Sequence, residues 1–189
     1  MSNEFADAHR AAAATFTDRV NGVTDWDAPS PVDGWTARSA AEHLIWWLPG
    51  ILAAGSDVVL PEGPDPATDL VGAWAHQRDA VQALLEDPAT LEKTYSSEHI
   101  GEMPLPVMIQ NFYTADVFMH TWDLARATGQ DDRLDSATAE AMLAGMEPIE
   151  QMLRGSGQFG TERGPLPADA DATDRLISFI GRDPRWVSG

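Results

Sequence analysis

Apolar residues in this chain recur at intervals of three and four, and runs that alternate with polar residues are nearly absent. Such spacing fits the period of an α-helix and not the two-residue period of a strand. The expected fold is therefore all-α. Phe5, His9, Ala12, Phe16 and Val20 define a first helix from about Asn3 to Val20, stopped by Asn21-Gly22. Thr36 is placed to cap a second helix, T-A-R-S-A-A-E-H-L-I-W-W-L-P-G-I-L-A-A-G, which Pro49 should kink or end part-way. Asp65 and Pro66 form a cap and first-turn pair for a third helix running to about Glu86. Pro106 opens a fourth, closed by Gly129, and Ser136 caps a fifth that runs through Met152 with Pro148 inside it. A short last helix covers A-T-D-R-L-I-S-F-I.

Four substantial helices, with a long crossover from Leu91 to Pro104 between the third and fourth, predict a four-helix bundle with additional short helices. The crossover has room for a hairpin around Gly101. At 189 residues the chain fits a single domain, 1–189, large enough to bury a core without staples. The segment T-D-W-D-A-P-S-P-V-D-G-W carries Trp26 and Trp35, two large aromatics that need burial, and should fold back over the bundle end. The Gly-rich run R-G-S-G-Q-F-G-T-E-R-G-P-L-P lacks the spacing and the preceding strand of a phosphate-binding loop, and reads as a plain loop.

A net charge of -18 repels phosphate backbones and anionic membrane surfaces, which removes nucleic acid and membrane from the expected partners. No cysteine is present, so disulfides, thiolate nucleophiles and Cys-based metal sites are excluded, and any thiol chemistry must use an external thiol. The first residues, M-S-N-E-F-A-D-A-H-R, have neither the basic start nor the apolar run of a signal peptide. No segment reaches the roughly 18 to 20 consecutive apolar residues a membrane span requires. The expected location is the cytoplasm. No G-x-S-x-G occurs to support serine hydrolysis.

The stretch T-A-D-V-F-M-H-T-W-D-L-A-R-A-T-G, residues 114–129, reads as an amphipathic helix, yet three of its ionisable residues share the apolar face. With roughly 100° per residue, Ile109, Phe112, Asp116, His120, Asp123 and Ala127 lie within about 60° of one direction. Burying an unpaired carboxylate and imidazole there costs several kcal/mol, so both need a compensating partner. A divalent cation is one solution, because Asp at i and His at i+4 stack one turn apart and reach the same ion. His43 on the second helix is the best third ligand. Two imidazoles, one carboxylate and an open fourth position form the donor set of a catalytic metal site. Asp123 is spaced to accept a hydrogen bond from a ligand imidazole and fix its tautomer. The alternative is a salt-linked polar pair in the core, with His43 a hydrogen-bonded core histidine. His9 and His76 are weaker candidates, and His99 in the crossover is either an exposed loop residue or an acid, base or fourth ligand.

Three motifs carry a resemblance to a known family: V-D-G-W-T-A-R-S-A-A-E-H-L (32–44), D-V-F-M-H-T-W-D-L-A-R-A-T-G (116–129) and L-I-S-F-I-G-R-D-P-R-W (176–186). In this order they resemble the actinobacterial metal-binding branch of the DinB-like family, related to the N-terminal domain of mycothiol-dependent maleylpyruvate isomerase. The resemblance implies a bundle of four main helices holding a divalent metal, usually zinc or nickel, at His43, Asp116 and His120. Many relatives have His or Glu where Asp116 stands. It further implies a transferase or isomerase that uses a low-molecular-weight thiol as co-substrate on a small electrophile. An apolar pocket lined by residues such as Trp47, Phe112 and Trp35 is expected beside the metal. The isomerase's separate C-terminal domain has no counterpart here, so that reaction itself is not implied. A non-catalytic metal- or ligand-binding protein of the same fold is the alternative, and homodimers are compatible with such bundles.

Overall fold

Asn3 caps the first helix by accepting a hydrogen bond from the Ala6 amide, and α1 then runs over Glu4–Asn21. The structure is a computed structural model describing residues 3–188. The remaining helices are α2 (Ala37–Gly55), α3 (Leu70–Glu86), α4 (Pro88–Leu91), α5 (Leu105–Met108), α6 (Ala115–Thr128), α7 (Ser136–Met146), α8 (Glu150–Gly155) and α9 (Ala172–Phe179). A two-stranded antiparallel hairpin, β1 (Thr94–Ser97) with β2 (Gly101–Pro104), occupies the crossover. Gly101 there has φ 89°, a conformation glycine adopts without penalty. The architecture is thus predominantly helical. No helix among the described residues is long and apolar enough to cross a membrane.

The third helix starts later than the sequence suggests. Asp65 closes a turn instead, accepting the Ala67 amide on its side chain and the Thr68 and Asp69 amides on its carbonyl. Asp69 then caps α3 through the Gly72 amide. Two aspartates four residues apart both carry cap chemistry, and spacing alone does not choose between them. Pro49 lies inside α2 without ending it. At the fifth helix the cap is Asp135, not Ser136, and the helix gives way at Pro148 to a 3-10 turn over Glu147–Ile149.

The larger correction concerns the fourth helix. Between α5 and α6 the backbone adopts a π-helical segment, Ile109–Thr114. Wider turns there break the uniform 100° step, so a single stripe running from Ile109 to Asp116 does not follow from sequence spacing. Tyr113 turns fully into the core and donates to the Leu44 carbonyl at 3.0 Å, while Phe112 is only partly buried. Nor is α6 amphipathic: every residue from Val117 to Ala125 is buried. It is a central helix, packed against α1 and α2, with α3 completing the layer against both of those. Phe16, Leu44, Leu48, Trp74, Val81 and Trp122 fill the shared core, and burying such side chains contributes about 1.5–3 kcal/mol each. Polar residues on α6 therefore have to be satisfied from inside the protein.

Candidate metal centre

Local capping sets the position of His43. Thr36 accepts from the Ser39 amide while Ser39 accepts from the Thr36 amide, a reciprocal pair that fixes where α2 begins. His43 then lies two turns in, with Trp47 one turn further on the same face. Opposite it, α6 presents Asp116 and His120 one turn apart.

Asp116 is the meeting point. His43 Nε2 donates to its Oδ2 at 2.9 Å, Trp47 Nε1 donates to the same oxygen at 3.0 Å, and His120 Nε2 lies 3.4 Å from Oδ1. One donor atom from each of His43, Asp116 and His120 falls within 4.8 Å of the others. Metal–ligand bonds of about 2.0–2.2 Å in a tetrahedral site place neighbouring donors roughly 3.3–3.5 Å apart. The three side chains could hold one ion if their donor atoms drew together to that spacing. His43 and Asp116 keep 33% and 20% of their side-chain surface exposed, so solvent reaches the group from their side.

Behind the triad, His120 Nδ1 donates to Asp123 Oδ2 at 2.8 Å. Asp123 is fully buried and is gripped by Arg182, whose Nε lies 2.9 Å from Oδ1 and whose Nη2 lies 3.0 Å from Oδ2. With Nδ1–H committed to Asp123, His120 directs Nε2 at Asp116. Trp35 closes the other side, its ring stacked on that of His120 at 5.5 Å and tilted against that of His43 at 5.1 Å. Its segment docks on the start of α2: Trp26 and Ala28 carbonyls accept the Arg38 and Ala37 amides, and Gly34 turns with φ 74°.

Electrostatics in this cluster follow from its charges. Burial opposes the charged imidazolium of His120, but Asp116 and Asp123 outweigh it and raise the pKa to about 9. Burial likewise opposes ionisation of Asp116, yet the two histidines hold its carboxyl below the ordinary range. Asp123 is also held low against its burial, by Arg182 and His120. His120 is thereby held in its charged form between two ionised carboxylates. A cation held there would displace the proton from His120 Nε2.

The other histidines lie elsewhere. His99 is exposed in the hairpin turn, apart from the cluster. His76 Nε2 is 3.0 Å from the Pro61 carbonyl, and His9 is buried between α1 and α3. Cavities of about 330 Å³, lined by Arg10, Thr17 and Arg78, and about 360 Å³, lined by Gly129, Gln130 and Trp186, both lie away from the triad. A cavity lined by Trp47, Phe112 and Trp35 is not one of them. The convergence of polar groups, not volume, marks this site. Arg182 is the partner that spacing does not reveal, although a fully buried aspartate demands a cation and the terminal G-R-D-P-R-W offers two.

No family model matches the chain, and no solved structure matches it. The uncharacterized protein Rv0738 of Mycobacterium tuberculosis H37Rv is 31% identical to it over 183 residues, covering 94% of this chain and 97% of the relative. This chain belongs to the Rv0738 family. The uncharacterized protein MT0763 of M. tuberculosis CDC 1551 matches with the same identity and coverage. Neither relative's name states an activity, so for this member of the Rv0738 family the chemistry rests on the triad and its surroundings.

Proposed function

We propose that this protein is a divalent-metal-dependent enzyme with a DinB-like four-helix bundle built from α1, α2, α3 and α6, and that it acts on a small electrophile with a low-molecular-weight thiol or water. The reading is carried by a solvent-reachable set of two imidazoles and one carboxylate, His43, Asp116 and His120, on facing helices. Zinc or nickel suits such donors. Bound there, the cation supplies Lewis acidity that lowers the pKa of a thiol or water placed against it. The chain's own residues orient the reactants: Asp123 fixes the His120 ring, Trp47 holds Asp116 Oδ2, and the Trp35 indole offers a flat apolar wall beside the imidazoles. A chain without cysteine has no internal thiol to compete with an external one. The test is to titrate the thiolate absorbance of a low-molecular-weight thiol with metal-loaded protein, then to add a panel of small electrophiles. A lowered thiol pKa with faster electrophile consumption is expected. An unshifted thiol and an unreacted panel would contradict the proposal.

A second reading is a non-catalytic metal- or ligand-binding protein. It is favoured by the close cover of Trp35 and Trp47 over the triad. Cobalt-loaded protein whose visible spectrum ignores added thiol and azide would support it over the enzyme.

A further inference from the structure

We propose that Arg182 is a positioning residue for the metal centre, so that the C-terminal segment after α9 tunes metal affinity without touching the ion. The proposal rests on the metal reading of His43, Asp116 and His120 and adds a residue on a separate element to it.

The backbone aims Arg182. Helix α9 ends in a Schellman motif: the Arg182 amide donates to the Ile177 carbonyl at 3.0 Å and the Gly181 amide to the Ser178 carbonyl at 3.0 Å. Gly181 has φ 94°, and a Cβ added there would sit 2.7 Å from Gly160 Cα. The Gly-rich loop after α8 is therefore more than a connection. Its Gly160 and Gly164 amides donate to the Ile180 and Ser178 carbonyls, which seats the loop against the turn that carries Arg182.

From that turn the guanidinium reaches both oxygens of Asp123, with Nε at 2.9 and 3.2 Å and Nη2 at 3.0 Å. Asp123 Oδ2 also receives His120 Nδ1–H. One carboxylate oxygen is thus shared between the guanidinium and the imidazole. A bidentate guanidinium grip fixes the plane of the carboxylate, which a single imidazole hydrogen bond does not. Arg182 thereby sets the direction in which His120 presents Nε2 to Asp116 and His43. A second arginine anchors the same segment independently: Arg126 Nη2 donates to the Pro184 carbonyl at 2.6 Å and its guanidinium lies over the Trp122 ring. Arg126 does not touch Asp123, so it separates docking of the segment from positioning of the carboxylate.

The experiment measures Co²⁺ affinity and the visible d–d spectrum of the full chain for wild type, Arg182→Met, Arg182→Lys and Arg126→Met, with circular dichroism on each. Loss of a partner behind a metal ligand typically weakens binding about 10- to 100-fold. Arg182→Met is expected to weaken Co²⁺ binding in that range and to alter the spectrum. Arg182→Lys should recover part of both, and Arg126→Met should bind with wild-type affinity and spectrum. Wild-type binding and spectrum in a folded Arg182→Met would overturn the proposal and leave the metal reading standing. Equal weakening in Arg182→Met and Arg126→Met would also overturn it, because docking alone would then explain the effect. Wild-type protein that binds no Co²⁺ would overturn the metal reading and this inference together.

Discussion

Two histidines in this protein are almost wholly buried, and their surroundings make them opposites. His9, between α1 and α3, has a neutral partner: its Nδ1 donates to Gln82 Oε1 at 2.9 Å and its Nε2 has no hydrogen-bond partner. Burial pushes its pKa below the ordinary 6.5, with Arg10 and Arg78 adding to the effect. His120, between α2 and α6, has carboxylates on both ring nitrogens, and they raise its pKa to about 9 against the same desolvation. Burial alone therefore does not mark a functional histidine. What distinguishes the second region is negative charge gathered around imidazoles, which is what a cation neutralises.

The largest effect should come from breaking the charged region. Asp123→Asn leaves the Arg182 guanidinium without its counter-ion and is expected to cost about 3–5 kcal/mol in urea unfolding. A loss below about 1 kcal/mol would mean that the two regions are held in the same way. Next is pH, read on metal-free protein. The folded pKa of His120, about 9 against 6.5, makes its contribution full below pH 6.5 and lost as the pH climbs through 9. The folded pKa of His9 is lowered, so its contribution is full above 6.5 and lost as the pH falls below that value. His120→Gln should flatten the alkaline limb of stability against pH, and His9→Gln the acid limb. Both variants changing the same limb would collapse the contrast.

Smaller effects sharpen it. Gln82→Met removes the neutral partner of His9 and should cost about 1–3 kcal/mol while leaving metal binding intact. Trp47→Phe removes one neutral donor to Asp116, whose Oδ2 keeps the His43 hydrogen bond. A loss of about 1 kcal/mol is expected, measured by thermal unfolding.

Local chemistry was readable in the sequence where a few adjacent residues settle it. The Thr36 cap, the left-handed Gly129 that closes α6 and the hairpin with its Gly101 turn all depend on residues within a few positions of one another. The i, i+4 relation of Asp116 and His120 is legible for the same reason, and so is the spacing of Asp123. What spacing could not supply was set by distant contacts. The π segment moves Tyr113 inward to meet the Leu44 carbonyl on another helix, and α6 is buried all round because two helices and the C-terminal segment enclose it. Arg182 lies 59 positions from Asp123, beyond the reach of any periodicity.

Bound metal in untagged protein, measured by elemental analysis beside His43→Ala, His120→Ala and His9→Ala, decides whether His43, Asp116 and His120 form a metal site. About one equivalent of a divalent transition metal per chain is expected in the wild type and in His9→Ala, and none in the other two variants. Absence of metal from the wild type after incubation and desalting, or its retention in His43→Ala and His120→Ala, would contradict such a site.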